Sequence, residues 1–330
     1  MLNNKVILLT GGTGSFGNEF VKLALKKYKH IKKLIIFSRD ELKQYEMAKK
    51  FNPKKYKCLR YFIGDIRDFQ RLKLATKDVD YIVHAAALKQ VDTAEYNPFE
   101  YVKTNVIGAQ NITECALENN VKKVIFLSTD KAVSPMNLYG ATKLCSDKIA
   151  LASNNYKGSN PCTFSVVRYG NVTASRGSVI PFFHEKLLKK ENIPITDKKM
   201  TRFNISLHEG VEMVLWALQN AFGHEIIIPK IQSYNLMDVV KAMEIKKYKF
   251  VGIRAGEKIH EELINNAESK NTIDIGKYYI VLQNINDKKI LRYYEKKYKV
   301  KKFKEEFSFN SDNAKKLTIK QLKEIIKKTN

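Results

Sequence analysis

A chain of 330 residues is long enough for a main domain with a smaller partner, and it holds neither an apolar run near the roughly 20 residues that cross a bilayer nor a charged, apolar, small-residue leader. The formal net charge of +25 invites a nucleic-acid reading, yet only nine of the 59 basic residues are arginine and the lysines are spread over the whole chain. Cys58, Cys115, Cys145 and Cys162 form no Cys-x-x-Cys pair and no histidines cluster, which argues against a metal site or a disulfide framework and for a reducing cytoplasm.

Lys5 to Thr10 reads as a buried strand, and Gly11-Gly12-Thr13-Gly14-Ser15-Phe16-Gly17 then turns tightly into a helical stretch from Phe20 to Leu25. Glycines at 11, 14 and 17 let the backbone approach a pyrophosphate and seat it on a helix N-terminus, where unpaired amides and the helix dipole favour an anion. Gly11, Thr13, Gly14, Ser15, Phe16 and Gly17 are therefore cofactor-binding candidates. The second strand, Lys33 to Ser38, ends about 20 residues past the glycines, where a ribose-reading acid is expected. Ser38, Arg39 and Lys43 there suit a 2′-phosphate, which favours NADP, while Asp40, shifted inward, would instead hold the ribose hydroxyls of NAD. A third strand ends at Asp65-Ile66, placed to border the adenine, although Asp65 equally reads as a cap of the following helix.

The next apolar runs are Tyr81 to Ala87, Val124 to Ser128 and Phe164 to Arg168. Continuous apolar strands at helix-length spacing predict an α/β fold with a doubly wound parallel sheet covered on both faces. His84 inside such a run reads as a packed core histidine. We expect residues 1–172 to form the dinucleotide-binding domain, with 206–230 returning to it as one more helix and strand. Residues 173–205 and 231–330 then form a substrate portion. Lys288 to Lys328 carries fourteen lysines interleaved with Tyr293, Tyr294, Tyr298, Phe303, Phe307 and Phe309, a pattern that reads as solvated surface with packed aromatics rather than a single-strand binding face.

Residues 127–143, L-S-T-D-K-A-V-S-P-M-N-L-Y-G-A-T-K, hold the densest chemistry. Tyr139 and Lys143 lie four apart, so on a helix they share a face, where an ammonium can lower a phenol's pKa and leave it poised as a base. Thr129, Asp130 and Lys131 emerge together where a buried strand ends, adding a hydroxyl, a carboxyl and an amine to what hydride transfer alone needs. Asp130-Lys131 also has a plainer reading as a surface ion pair.

With the glycine turn, Thr129-Asp130-Lys131 and Tyr139-x-x-x-Lys143 in one chain, the sequence resembles the extended short-chain dehydrogenase/reductase superfamily, and within it the nucleotide-sugar 4,6-dehydratases, above all the configuration-inverting, 5-epimerising ones that act on UDP-N-acetylglucosamine and begin bacterial pseudaminic acid synthesis. The likeness spans nearly the whole chain and includes Phe37-Ser38-Arg39-Asp40-Glu41, Ala87-Leu88-Lys89-Gln90-Val91, Lys103-Thr104-Asn105, Arg176-Gly177-Ser178, Met200-Thr201-Arg202-Phe203 and Gly256-Glu257-Lys258-Ile259-His260-Glu261-Glu262. It differs at Thr173-Ala174, Asn204 and Ala255, which touch sugar specificity rather than reaction class. The resemblance implies NADP as cofactor, a UDP-sugar as substrate, a homo-oligomer (a hexamer), and no nucleic-acid or membrane partner. It adds Ala85, Ala86, Lys89 and Asn105 to the cofactor wall, Lys89 and Asn105 also reading as loop and cap residues. Lys89, Asn171, Arg176, Ser178, Arg202, Arg254 and Glu257 become substrate contacts, with Arg202 and Arg254 as diphosphate clamps or surface ion pairs. In the chemistry so implied, Tyr139, beside Lys143 and Thr129, takes the carbon 4 hydroxyl proton. Lys131, desolvated to partial neutrality, abstracts the carbon 5 proton, and a protonated Asp130 releases the carbon 6 hydroxyl.

Overall fold

The computed structural model describes residues 2–173 and 178–328; Ala174 and Arg176 lie outside the described residues. Strands β1 (Val6–Thr10), β2 (Lys33–Ser38), β3 (Leu59–Ile63), β4 (Tyr81–His84), β5 (Lys123–Thr129) and β6 (Thr163–Tyr169) run parallel in the order β3-β2-β1-β4-β5-β6. Helices α1 (Ser15–Lys27), α2 (Glu41–Lys50), α3 (Phe69–Ala75), α4 (Val91–Tyr96), α5 (Pro98–Tyr101), α6 (Gly108–Glu118) and α7 (Leu138–Tyr156) connect them. Successive side chains of a strand face opposite sides. Ile7 and Leu9 accordingly pack with Phe20 and Val21 of α1, while Val6 and Leu8 pack with Leu72 of α3 and Ile112 of α6. Burial on both faces is why these strands are continuous apolar runs in the sequence. His84 is one such buried residue, its Nδ1 2.9 Å from Thr10 Oγ1 and its ring edge-on to Phe126.

After helix Leu207–Asn220, strand Glu225–Pro229 extends the sheet parallel to β6. The sheet then continues through three antiparallel strands, Tyr278–Leu282, Thr272–Asp274 and Lys301–Lys302. The sequence reading places all of 231–330 in the substrate portion, whereas these three strands belong to the main sheet. Strands of two to five residues carry little periodicity, and what recruits them is the free backbone edge of Glu225–Pro229. A separate core of Ile180, Phe183, Ile193, Met200, Tyr234, Leu236, Leu322 and Ile326 holds the smaller lobe.

The aromatics of the lysine-rich stretch pack inward. Tyr294 is fully buried, Tyr298 lies 6.0 Å from the Trp216 ring, and Phe303, Phe307 and Phe309 surround Tyr279. Among the described residues no helix is long and apolar enough to cross a membrane. The chain order reverses between β1 and β4, and in a doubly wound sheet that reversal opens a crevice at the strands' carboxyl ends.

Candidate active site

A cleft of about 1090 Å³ lies over that crevice. Its size exceeds the roughly 300–1,000 Å³ of a pocket for one drug-sized ligand. Gly11 has φ +63°, and a Cβ there would stand 2.8 Å from Ala86 Cα, so only glycine lets the turn after β1 pass the end of β4. Gly14 is the N-cap of α1 without a side-chain cap, which leaves the helix's first amides for an anion. Thr13, Gly14, Ser15 and Phe16 line the cleft there. Gly17 does not; a Cβ on it would collide with the Gly12 backbone, so its part is to dock helix on turn.

At the far end Ser38, Arg39, Asp40 and Lys43 line the wall. Asp40 caps α2 by accepting from the Lys43 amide at 2.9 Å and pairs with Lys43 Nζ at 2.7 Å, so its carboxylate is engaged locally. Asp65 lines the cleft but does not cap the next helix, which Asp68 does. Burial works against the Asp65 charge, but hydrogen bonds from the Arg67 side chain and amide, with Arg39 at 3.7 Å, outweigh it and hold its pKa below the ordinary value. Ile66, Ala85 and Ala86 complete this part.

The acid–base groups stand on the opposite wall. β5 ends at Thr129, a single 3₁₀ turn carries Asp130 and Lys131, and Asn137 caps α7 by accepting from the Gly140 amide at 2.8 Å. Tyr139 and Lys143 follow one turn apart, and all five groups line the cleft. Lys131 Nζ lies 3.1 Å from Asp130 Oδ1 and 3.1 Å from Glu261 Oε1. Desolvation works against this ammonium, but the two carboxylates outweigh it and keep Lys131 charged, contrary to the expected partial neutrality. Asp130 is fully buried; burial raises its pKa, and the Glu261 charge adds to that against the pull of Lys131. The expected lowering of Tyr139 is also absent: burial pushes the phenol up to about 12, and the charge easing it is that of Lys131, helped by a hydrogen bond from Thr129. Lys143 is itself buried and its pKa falls by desolvation, with Asp147 opposing.

Lys89, Asn171, Ser178, Arg254 and Glu257 also line the cleft. Asn171 Oδ1 and Ser178 Oγ are buried there without a partner among the described residues, as a site built to hydrogen-bond a polar ligand requires. Arg254 stands half-exposed at the mouth, 3.9 Å from Asp92. Asn105 and Arg202 are not brought to the wall. Asn105, presented by a π-helical turn at Val102–Ile107, accepts from the Leu88 amide and donates to the Leu88 carbonyl, each at 2.9 Å, and so fixes the loop that carries Lys89. Arg202 donates to the Thr201 and Ile259 carbonyls at 2.7 and 3.0 Å. It braces the segment that carries Glu261 and clamps no open ligand space.

Two buried carboxylates beside these groups, Asp147 and Glu261, escape the sequence reading. Asp147 lies one α7 turn beyond Lys143, and that i,i+4 spacing was a usable signal. Its Oδ2 accepts from Ser128 Oγ at 2.7 Å and lies 3.5 Å from the buried Arg168, which in turn meets Glu268 at 2.8 Å. Glu261 gave no local signal, since only the fold brings it to Lys131.

Residues 7–283 match the family described as polysaccharide biosynthesis protein. Over 322 residues the chain is 51% identical to a UDP-N-acetylglucosamine 4,6-dehydratase (inverting) of Campylobacter jejuni, covering 95% of this chain and 94% of that one. Over 333 residues it is 40% identical to a UDP-glucose 4-epimerase of Rickettsia bellii, covering 99% and 96%. The X-ray structure of Pen from Bacillus thuringiensis superposes with a TM-score of 0.89 at 34% identity, over 99% of this chain and 98% of that one. Likeness over nearly the whole length, on an extended short-chain dehydrogenase/reductase fold, establishes that the chain belongs to the polysaccharide biosynthesis protein family.

Proposed function

We propose that this protein is a hydro-lyase that dehydrates UDP-N-acetylglucosamine with inversion at carbon 5, by oxidation at carbon 4, elimination across carbons 5 and 6, and reduction at carbon 6. The product is UDP-2-acetamido-2,6-dideoxy-β-L-arabino-hex-4-ulose, a first step toward pseudaminic acid. One observation carries the reading: a carboxyl–ammonium pair, the buried Asp130 and the partly exposed Lys131, shares a cleft wall with Tyr139 and Lys143. The 51% identical relative bears the matching name.

NADP is the cofactor we propose, because Arg39 and Lys43 present cations at the end of β2 while Asp40 is engaged in capping α2. Bound there, a nicotinamide supplies reversible two-electron oxidation of the sugar. The amides of the Gly11–Gly17 turn would hold its phosphates, and Asp65 and Ile66 would border its adenine. Tyr139 receives the carbon 4 hydroxyl proton as phenolate, a form that the positive charges of Lys131, Lys143 and a bound nicotinamide would favour against the burial that raises it, with Thr129 holding the substrate oxygen. The resulting ketone makes the carbon 5 proton acidic. Lys131 takes that proton, and Asp130, raised by burial, donates its own to the departing carbon 6 oxygen. Asn171, Ser178, Arg254 and Glu257 hold the nucleotide sugar. A homo-oligomer completes the proposal, for which exposed Tyr96, Phe99 and Ile107 provide apolar surface.

A 4-epimerase uses the same Tyr139 and Lys143, and the 40% identical relative carries that name. It has no need of a carboxyl–ammonium pair for elimination. Tyr139→Phe tests the order of steps: reduced cofactor should not form and carbon 5 should not exchange with solvent, because that proton becomes acidic only after oxidation. Near-normal turnover of this variant would contradict the mechanism.

A further inference from the structure

Lys131 has to lose a proton before it can take one from carbon 5, and the cleft as built keeps it charged. Two carboxylates can receive that proton. Asp130 cannot serve, because a carboxylic acid must already stand there to release the carbon 6 oxygen. Glu261 remains. Its Oε1 lies 3.1 Å from Lys131 Nζ, hydrogen-bond distance, and Oε2 is buried without a partner among the described residues. Glu261 is only 3% exposed and does not line the cleft, so it meets Lys131 from behind. Its backbone is pinned, with its amide donating to Ser311 Oγ at 2.9 Å and its carbonyl accepting from the Ser311 amide at 2.7 Å.

We infer that Glu261 is a positioning residue that accepts the Lys131 proton, making Asp130, Lys131 and Glu261 a three-member proton relay for the elimination. The inference rests on the dehydratase reading above. The protons balance. At the start Asp130 is protonated, Lys131 is an ammonium and Glu261 is a carboxylate. Transfer from Lys131 to Glu261 leaves a neutral amine facing carbon 5. The carbon 5–hydrogen bond then breaks toward that amine, its electron pair forms the carbon 5–carbon 6 double bond, and the carbon 6–oxygen bond breaks as Asp130 protonates the leaving hydroxyl, which departs as water. The relay now holds an ammonium, a protonated Glu261 and an ionised Asp130, the same proton count as before. One shift from Glu261 through Lys131 to Asp130 resets it.

Several other groups bear on these protons. Arg202, 3.9 Å from Glu261, and Lys258 favour its carboxylate and oppose the transfer, and an ionised Asp130 would oppose it too, so the transfer requires Asp130 to be protonated first. Arg202 also favours loss of the Lys131 proton, Tyr139 opposes it, and Lys89 and Tyr234 border the same cluster. Substrate in the cleft displaces water from Lys131, which favours the neutral amine and acid over the ion pair.

The test is Glu261→Gln in the full-length, cofactor-loaded protein, given UDP-N-acetylglucosamine in deuterium oxide. Reduced cofactor should form as in the unsubstituted protein, while deuterium incorporation at carbon 5 and water loss fall by about 10²- to 10⁴-fold, the usual contribution of a positioned proton-transfer group. Carbon 5 exchange in the variant should recover as pH rises, because Lys131 then sheds its proton to solvent. Exchange within a few-fold of the unsubstituted protein at neutral pH overturns the inference, and so does a variant that never reduces the cofactor. Should the glutamine variant not fold, Glu261→Asp decides: loss confined to the carbon 5 step supports the relay, while no loss, or equal loss of both steps, overturns it. An unsubstituted protein that oxidises carbon 4 but releases no water sinks the dehydratase reading itself, and the relay with it.

Discussion

Desolvation works against the Lys131 ammonium, and the Asp130 and Glu261 carboxylates, each 3.1 Å away, outweigh it. The neighbouring Asp130 is raised as well, by burial first and by the Glu261 charge, so it holds a proton more readily than an ordinary carboxyl. The two side chains should therefore fail at different steps. With Lys131→Ala, Tyr139 and Lys143 remain, so carbon 4 is still oxidised and reduced cofactor should accumulate in a single turnover followed by absorbance. Asp130→Asn keeps the base and loses the acid. Solvent deuterium should then enter carbon 5 while water loss slows by about 10²- to 10⁴-fold. If both variants stop before any reduced cofactor appears, the pair serves the first step and the elimination chemistry belongs to other residues. The residue types and their spacing were readable in the sequence, but their protonation was not. Tyr139 was expected to be lowered by Lys143 and is raised to about 12, because burial depends on what the fold packs around the ring.

At the scale of elements, the turn from β1 into α1 and the start of α7 were legible because each carries its signal within a few residues: glycines in the first, Asn137 and the Tyr139–Lys143 spacing in the second. The junction of β2 and α2 was legible in composition and ambiguous in geometry. Capping by Asp40 supports the NADP proposal, since the helix start engages the acid that would otherwise read a free ribose. Arg39→Ala should weaken NADP by about 1.5–3 kcal/mol, the worth of a hydrogen bond to a charged group. NAD should be little affected, as titration of each cofactor would show. Equal loss for both contradicts the assignment. What the sequence hid at this scale were Asn105 and Arg202, both polar residues that brace backbone instead of meeting ligand. Their partners, Leu88 and Ile259, are distant in sequence.

Across the whole molecule, the doubly wound order of six strands followed from long apolar runs, while the antiparallel extension through Tyr278–Leu282 did not, because short strands are recruited by a neighbour's open edge. The extension helps bury Glu225, whose pKa is pushed up to about 6 by desolvation, against hydrogen bonds from the Gly223 amide and Ser165. Its folded pKa lies above its unfolded value of 4.5. The unfolded chain therefore releases this proton first, and stability present below about pH 4.5 is lost as pH rises through about 6. The loss amounts to about 2 kcal/mol. Glu225→Gln should remove that dependence, so denaturant melts of the two proteins should diverge between pH 4 and pH 7; parallel curves would show that Glu225 is not so strained.

The measurement that bears most directly on the whole is the product formed from UDP-N-acetylglucosamine by the purified protein. Mass spectrometry should show the loss of one water and no net consumption of cofactor, and magnetic resonance should show a 4-keto-6-deoxy sugar inverted at carbon 5. A sugar that keeps its carbon 6 hydroxyl, whether epimerised at carbon 4 or unchanged, would contradict it.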